Sequence, residues 1–98
     1  RRCAALASSC QTPVPAHDCN GPVVLTASVH FCQSTKNAYV QEIVRAFYYG
    51  WYDEIVTKLP PIKNGKITIP DGPGLGLELR NDFKNRNTTF SRISKYKN

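Results

Sequence analysis

His17 lies in a part of the sequence where a side chain could take part in chemistry. It follows the apolar residues 14–16 and precedes a short polar stretch that ends in Gly21-Pro22, an order typical of a strand, a loop and the first turn of a helix. His17 is therefore predicted at the carboxyl end of a strand, where α/β proteins commonly carry catalytic side chains. Because histidine exchanges protons near neutral pH, this position would allow acid–base chemistry.

Glu42 is the acid that the predicted elements place beside His17. It lies near the end of a second predicted strand, residues 38–43, which is rich in strand-favouring residues. A helix predicted over residues 22–35 joins this strand to the first one, residues 13–17, and a helical connection of about 20 residues suits a parallel βαβ unit. Parallel neighbours would bring the two side chains to the same edge of one sheet.

Both assignments have plainer alternatives. Pro13 and Pro15 alternate along the first strand, and proline is awkward in a central strand that is hydrogen-bonded on both sides. A lone histidine at a strand end is most often a hydrogen-bonded structural residue, and a glutamate there is most often an ordinary acid. The pattern alone therefore indicates a candidate site.

The other residues whose side chains could take part in a reaction are weaker candidates. Asp18 adjoins His17, but neighbouring strand residues point to opposite faces, so it is not predicted to be the partner of His17. His30 falls on the predicted helix and is interpreted as a surface or packing residue. The pairs His17-x-Cys19 and His30-x-Cys32 could be drawn as a zinc site, yet neither has the usual finger spacing.

The composition indicates one small globular domain of 98 residues, 41% hydrophobic and 20% charged. Most of the net charge of +6 lies at the end, since residues 80–98 hold six basic side chains and one acid, a difference of +5. Such a tail is usually solvated, and because no nucleic-acid motif accompanies it, nucleic acid is not a predicted partner. No stretch approaches the ~18 apolar residues of a membrane span, so no membrane partner is predicted either.

The four cysteines leave two interpretations. Two disulfides would have three connectivities, although Cys3 and Cys10 cannot bridge each other, because a helix predicted over residues 1–11 separates them by about 10 Å of rise. Reduced, mostly buried thiols in a cytoplasmic protein are the favoured interpretation. That helix has no cap before Arg1, so the chain is expected to be the tail of something longer.

The second half of the sequence predicts a returning segment. Five aromatic residues within 47–52 indicate packing against the body of the protein, with carbohydrate stacking as the alternative. Asn64-Gly65 predicts a type I′ hairpin. The Gly- and Pro-rich residues 70–76 are interpreted as a structural turn, because neither Lys-Ser/Thr nor a helix follows as a nucleotide loop requires. The polar end is expected to fray, with one edge strand over residues 89–93.

Two blocks of the sequence resemble a known family. They are Pro-Ala-His-Asp-Cys-Asn-Gly-Pro-Val at 15–23, and Gly-Trp-Tyr at 50–52 running through the Asn-Gly turn to Pro-Asp-Gly-Pro-Gly-Leu-Gly-Leu-Glu-Leu at 70–79. Together they resemble the C-terminal portion of the enolase superfamily, in its mandelate racemase and muconate lactonizing enzyme branch, near the sugar-acid dehydratases. The resemblance covers about residues 1–83.

The resemblance implies an α/β fold, namely the last strands and helix of a modified (β/α) TIM-type barrel. Residues 13–17 would be its seventh strand, residues 22–35 the following helix and residues 38–43 the final strand. Residues 1–49 would then form the last βα units. Residues 50–83 would return, with their hairpin, to a capping domain, and residues 84–98 would be a basic polar tail.

The resemblance also implies a function. His17 is similar to the general base or acid at the α-carbon of the substrate, and Glu42 to the acid that faces the substrate carboxylate and donates a hydrogen bond to it. The reaction would be a Mg²⁺-dependent lyase or isomerase reaction through proton abstraction next to a carboxylate, with dehydration of a sugar acid favoured. In a dehydratase the same histidine could protonate the departing hydroxyl.

The family's Mg²⁺ ligands lie on earlier strands that this sequence does not contain. The isolated chain is therefore expected to be inactive and to need the N-terminal remainder of the enzyme as its partner. The expected substrate is a sugar acid or another small carboxylate. At full length, a homo-oligomer is one expected outcome. The alternative is a free-standing small basic protein that has no catalytic activity and acts as an interaction module.

Overall fold

A computed structural model describes residues 1–95, apart from the side chain of Lys84. The described elements are, in chain order, helices α1 (Arg2–Ser9), α2 (Pro22–Gln33) and α3 (Arg45–Tyr48), a 3₁₀ turn (Tyr52–Glu54), strands β1 (Ile62–Lys63) and β2 (Lys66–Ile67), and helix α4 (Asn81–Lys84). None of the helices within residues 1–95 is long and apolar enough to cross a membrane.

Helix α2 is the central element. Gly21, with φ at 113°, precedes it, and Pro22 opens it where the missing proline N–H needs no partner. The helix ends two residues before the predicted limit of residue 35, at Gln33, and it buries Leu25 and Val29 almost completely. The predicted helix is therefore confirmed.

The segments on either side of α2 pair in parallel. Ala16 donates its N–H to the carbonyl of Val40 at 3.1 Å and accepts from the N–H of Glu42 at 2.8 Å, which makes a parallel bridge between Ala16 and Gln41. The βαβ connection is confirmed, but each predicted strand is reduced to this single bridge. The regular pairing does not continue, because the next hydrogen bond joins the N–H of Val14 to the carbonyl of Asn37. This bond lies two residues earlier along the first segment but three residues earlier along the second.

The two prolines fit this arrangement because of their alternation. Val14 and Ala16 direct their N–H groups toward residues 37–42, so Pro13 and Pro15 face the opposite edge. Their missing N–H groups therefore cost no hydrogen bond within the parallel pair. The same alternation leaves few donors on that opposite edge.

The hydrophobic core joins α2 to the returning segment. Tyr52 is fully buried against Leu25 and Val29, and partly buried apolar side chains surround these three: Ile43, Phe47, Tyr48, Leu59 and Ile67. Packing by the aromatic segment is therefore confirmed. Tyr49 and Trp51 of that segment stay partly exposed.

The returning segment contains the predicted hairpin and one unpredicted pairing. Strands β1 and β2 are antiparallel, and Asn64 and Gly65 between them have φ values of 50° and 72°, as a type I′ turn requires. Val56 also bridges Leu79 in antiparallel fashion. This pairing was not predicted, because a single-residue bridge leaves no alternation in the sequence.

The cysteine prediction is partly wrong. All four cysteines are free, but Cys3, Cys10 and Cys19 are exposed and Cys32 is only half-buried, so the thiols are not mostly buried. The reason at α1 is that the helix buries a single residue, Ala4, and turns its predicted apolar face outward.

The C-terminal residues differ from expectation. The predicted edge strand over residues 89–93 is wrong, since this stretch has no strand partner, and Phe90 and Ile93 are exposed. A short helix, α4, forms earlier instead, and Arg80 ahead of it donates to the carbonyls of Asp53 and Val56 at 2.6 and 3.0 Å. The final part of the predicted basic tail, residues 96–98, lies outside the described residues.

Candidate active site

The parallel bridge brings His17 and Glu42 together. His17 Nε2 lies 3.7 Å from Glu42 Oε1, and the two side chains are 62% and 58% exposed. The predicted meeting of these residues at one sheet edge is therefore observed. Both side chains are open to a molecule approaching from solvent.

The register of the bridge explains this meeting. Each residue follows directly after one partner of the bridge, so both side chains leave the same face at the same height. The side chain of Gln41 reinforces the register, since its Nε2 donates to the carbonyl of Ala16 at 3.2 Å and to that of Glu42 at 2.7 Å. Gln41 was not predicted as a site residue, although it lies next to Glu42 in the predicted strand.

The contact between His17 and Glu42 is longer than a hydrogen bond. A carboxyl group 3.7 Å from an imidazole ring can interact with it electrostatically. The attraction is weak at this exposure, because water screens both charges. The arrangement therefore leaves the imidazole free to accept a proton from a bound molecule and to return it.

Asp18 points away from this pair, as strand alternation predicts. Its carboxylate is fully buried, and the Tyr52 hydroxyl donates to both oxygens at 3.1 Å. Burial, together with the hydrogen bond and charge of Asp18, raises the pKa of Tyr52 above its usual value. The hydroxyl therefore remains a donor, and neither the role of Tyr52 nor the burial of Asp18 was predicted.

His30 and Cys32 lie on α2 and have packing roles. His30 Nε2 is 3.2 Å from the carbonyl oxygen of Leu75, which ties α2 to the glycine-rich turn and agrees with the second of its two predicted roles, surface or packing. Cys32 Sγ lies 3.8 Å from Gln41 Oε1, and burial raises the pKa of this thiol. The thiol therefore stays protonated at neutral pH.

The described residues do not fit a metal ion. Within residues 1–95, no group of three or more His, Cys, Asp or Glu side chains lies close enough to hold one. Mg²⁺ prefers several oxygen ligands in octahedral geometry, whereas the edge at His17 offers the single carboxylate of Glu42. The donor set of residues 1–95 therefore does not suit Mg²⁺.

Comparison with known proteins supplies the family context. The family described as Enolase C-terminal domain-like matches residues 1–83. A D-xylonate dehydratase from Haloferax volcanii is 33% identical over 79 residues, which are 81% of this chain and 19% of that protein. The chain thus spans about a fifth of the length of this curated relative.

Two solved structures are similar in both sequence and fold. One is an enolase of the mandelate racemase subgroup from Agrobacterium tumefaciens, crystallised with a succinimide residue, sodium and phosphate. It is 50% identical, with a TM-score of 0.78 over 86% of this chain and 23% of that chain. The other is an enolase protein from the environmental genome shotgun sequencing of the Sargasso Sea, 36% identical, with a TM-score of 0.79 over 90% of this chain and 23% of that one.

Proposed function

Because this chain belongs to the enolase C-terminal domain-like family, we propose that it is the C-terminal portion of an enzyme that removes the proton next to a carboxylate, with dehydration of a sugar acid as its reaction. The observation that carries the proposal is the 3.7 Å approach of His17 to Glu42 where the parallel pair ends. The similarity to a D-xylonate dehydratase supports a sugar acid as the substrate class.

In this proposal His17 is the base. Its imidazole takes the proton from the α-carbon of the substrate, and the electron pair of the broken C–H bond moves into the carboxylate as an enediolate. The C–O bond at the neighbouring carbon then breaks, and the imidazolium returns its proton to the departing hydroxyl, which leaves as water. The product is an enol, and one histidine serves as base and then as acid.

Glu42 faces the substrate carboxylate in this proposal. In its protonated form it donates a hydrogen bond to a carboxylate oxygen, which stabilises the charge that accumulates there as the proton leaves. Its position beside His17 puts the two groups on one side of a bound acid. A glutamine at position 42 would keep a donor but could not release a proton.

The rest of the enzyme is proposed to lie outside this chain. The parallel pair and α2 would be the last βα units of a modified (β/α) barrel within residues 1–49, residues 50–83 would pack on a capping domain, and residues 84–98 would be a basic tail. Mg²⁺ is the proposed cofactor of the whole enzyme, with its ligands on other strands, since the described residues of this chain do not suit it. The whole enzyme is proposed to be cytoplasmic and to allow homo-oligomers.

The proposal is tested by replacing His17 with Asn in the enzyme that includes the upstream strands. We expect the variant to lose exchange of the substrate α-proton with deuterium from solvent, measured by proton NMR, because asparagine cannot accept the proton. His30→Asn is the matched control, since His30 contacts Leu75 and not the edge at His17. Undiminished exchange in the His17 variant would remove His17 from the reaction.

A further inference from the structure

Asp18 is a buried acid that the proposed reaction does not use. It is fully buried, alone among the acidic residues in the part of the chain that the structure describes. No ion pair involves it within residues 1–95. Burying a carboxylate is costly unless a donor satisfies it, and the donor here is the Tyr52 hydroxyl, 3.1 Å from each oxygen.

Tyr52 is a fixed donor. Its ring is fully buried against Leu25 and Val29, and it packs edge-on against Trp51 with the ring centroids 4.8 Å apart. A ring held on several sides cannot follow a moving carboxylate. The position of the hydroxyl therefore determines where the side chain of Asp18 can lie.

The side-chain direction of Asp18 constrains that of its neighbour. Successive residues of an extended segment point to opposite faces, so a carboxylate held inward at position 18 directs His17 outward. On the other side of His17, Ala16 is held by its two backbone bonds to the neighbouring segment. His17 is thus fixed from both sides, although its own ring is mostly exposed.

We propose that Asp18 and Tyr52 are positioning residues that hold the His17 ring beside Glu42. The hydrogen bond connects the loop after the first parallel segment to a residue 34 positions away in the returning segment. The returning segment therefore sets the geometry of the edge at His17 without contributing a group to it. The catalytic meaning of this positioning rests on the proposed function, whereas the positioning itself does not.

The test is an NMR measurement on the full chain of 98 residues. The wild type is expected to show a nuclear Overhauser effect between the His17 ring and the Glu42 side chain. Tyr52→Phe removes only the hydroxyl and is expected to weaken this signal about tenfold, because the loop loses its anchor. Asp18→Asn keeps an oxygen that accepts from Tyr52 and is expected to retain the signal. The contact between His30 and Leu75 is the internal control and should persist in both variants.

Each outcome decides the proposal. It is overturned if the wild type lacks the signal, if folded Tyr52→Phe retains it, or if folded Asp18→Asn loses it. Should Tyr52→Phe not fold, the double variant Asp18→Asn with Tyr52→Phe buries no charge and is expected to fold without the signal. If the double variant also failed to fold, the pair would maintain the whole fold rather than one ring, which would equally overturn the proposal.

A kinetic measurement on the longer enzyme separates positioning from function. Tyr52→Phe is expected to lower kcat about tenfold with little change in KM, since small displacements of a catalytic group slow the chemical step, and Asp18→Asn should be close to the wild type. If Tyr52→Phe loses the NMR signal while His17→Asn keeps normal proton exchange, the positioning is supported and the proposed function is refuted. If Tyr52→Phe keeps the NMR signal while His17→Asn loses proton exchange, only the positioning is refuted.

Discussion

Neighbouring residues at positions 17 and 18 have opposite environments. His17 is 62% exposed beside Glu42, whereas Asp18 is fully buried beneath the Tyr52 hydroxyl. Strand alternation alone predicts that they face opposite ways. Which of the two faces becomes the core depends on Tyr52, which covers one face and thereby leaves the other for the candidate site.

At this scale we predict that Tyr52 makes the stability of the chain sensitive to alkaline pH. Its pKa is raised in the folded chain, so the folded state keeps a proton that the unfolded state releases above about pH 10. The stabilisation is fully present below that pH and is lost as pH rises through the folded pKa. Urea unfolding between about pH 8 and pH 11 measures this loss.

Two phenylalanine variants make this prediction specific. Tyr52→Phe removes the ionising hydroxyl and should give a shallower fall in the free energy of unfolding at high pH. Tyr39→Phe is the matched control, because Tyr39 is 74% exposed, and it should keep the steeper fall of the wild type. Identical slopes for both variants would show that the Tyr52 hydroxyl does not ionise differently in the two states.

At the scale of elements, the glycine-rich turn over residues 70–76 supports α2. The ring of His30 donates from Nε2 to the carbonyl oxygen of Leu75, 3.2 Å away, so the turn must hold that oxygen toward the helix. Gly76 has φ at +77°, and a Cβ there would collide with the carbonyl oxygen of Pro70. The turn therefore needs glycine at this position for two independent reasons.

We predict that Gly76→Ala is more destabilising than Gly74→Ala. Both positions have positive φ, which costs about 1–2 kcal/mol for a residue with a Cβ. A Cβ at Gly74 meets nothing within 4 Å, whereas a Cβ at Gly76 also displaces backbone. The free energy of unfolding, measured in urea, should fall by about 1 kcal/mol for Gly74→Ala and by more than about 2 kcal/mol for Gly76→Ala. Equal losses would contradict the steric argument.

At the scale of the whole molecule, the chain leaves much apolar surface uncovered. Leu6, Tyr39 and Val40 are 71%, 74% and 50% exposed. The small core of Leu25, Val29 and Tyr52 lies between α2 and the returning segment. The chain spans about a fifth of the length of its curated relative, and the surroundings of the edge at His17 are proposed to lie in the rest of the enzyme.

We therefore predict that the isolated chain does not bind Mg²⁺ stoichiometrically. The described residues bring no group of three ligands together, and the edge at His17 has one carboxylate. Isothermal titration calorimetry of the 98-residue chain with MgCl₂ should show only heats of dilution. A saturable site with one ion per chain would show that ligands within this chain had been misjudged.

Local patterns in the sequence determined the elements nearest the candidate site. Pro22 after Gly21 set the start of α2, the Asn64-Gly65 pair set the hairpin turn, and the spacing of His17 and Glu42 around α2 set their common edge. The helix start and the hairpin turn follow from the backbone preferences of a few adjacent residues. The common edge involves a distant contact, but it could be predicted because a helical connection of this length suits a parallel strand pair.

The tertiary structure alone decided which surfaces are covered. The burial of Asp18 depends on a tyrosine 34 positions away, and the pairing of Val56 with Leu79 depends on the turn between them. Cys3 and Cys10 are exposed, and residues 89–93 form no strand. Both predictions needed packing or pairing partners that the described residues do not supply. Burial is a property of packed faces, so an amphipathic pattern shows which face could be covered and packing determines whether it is.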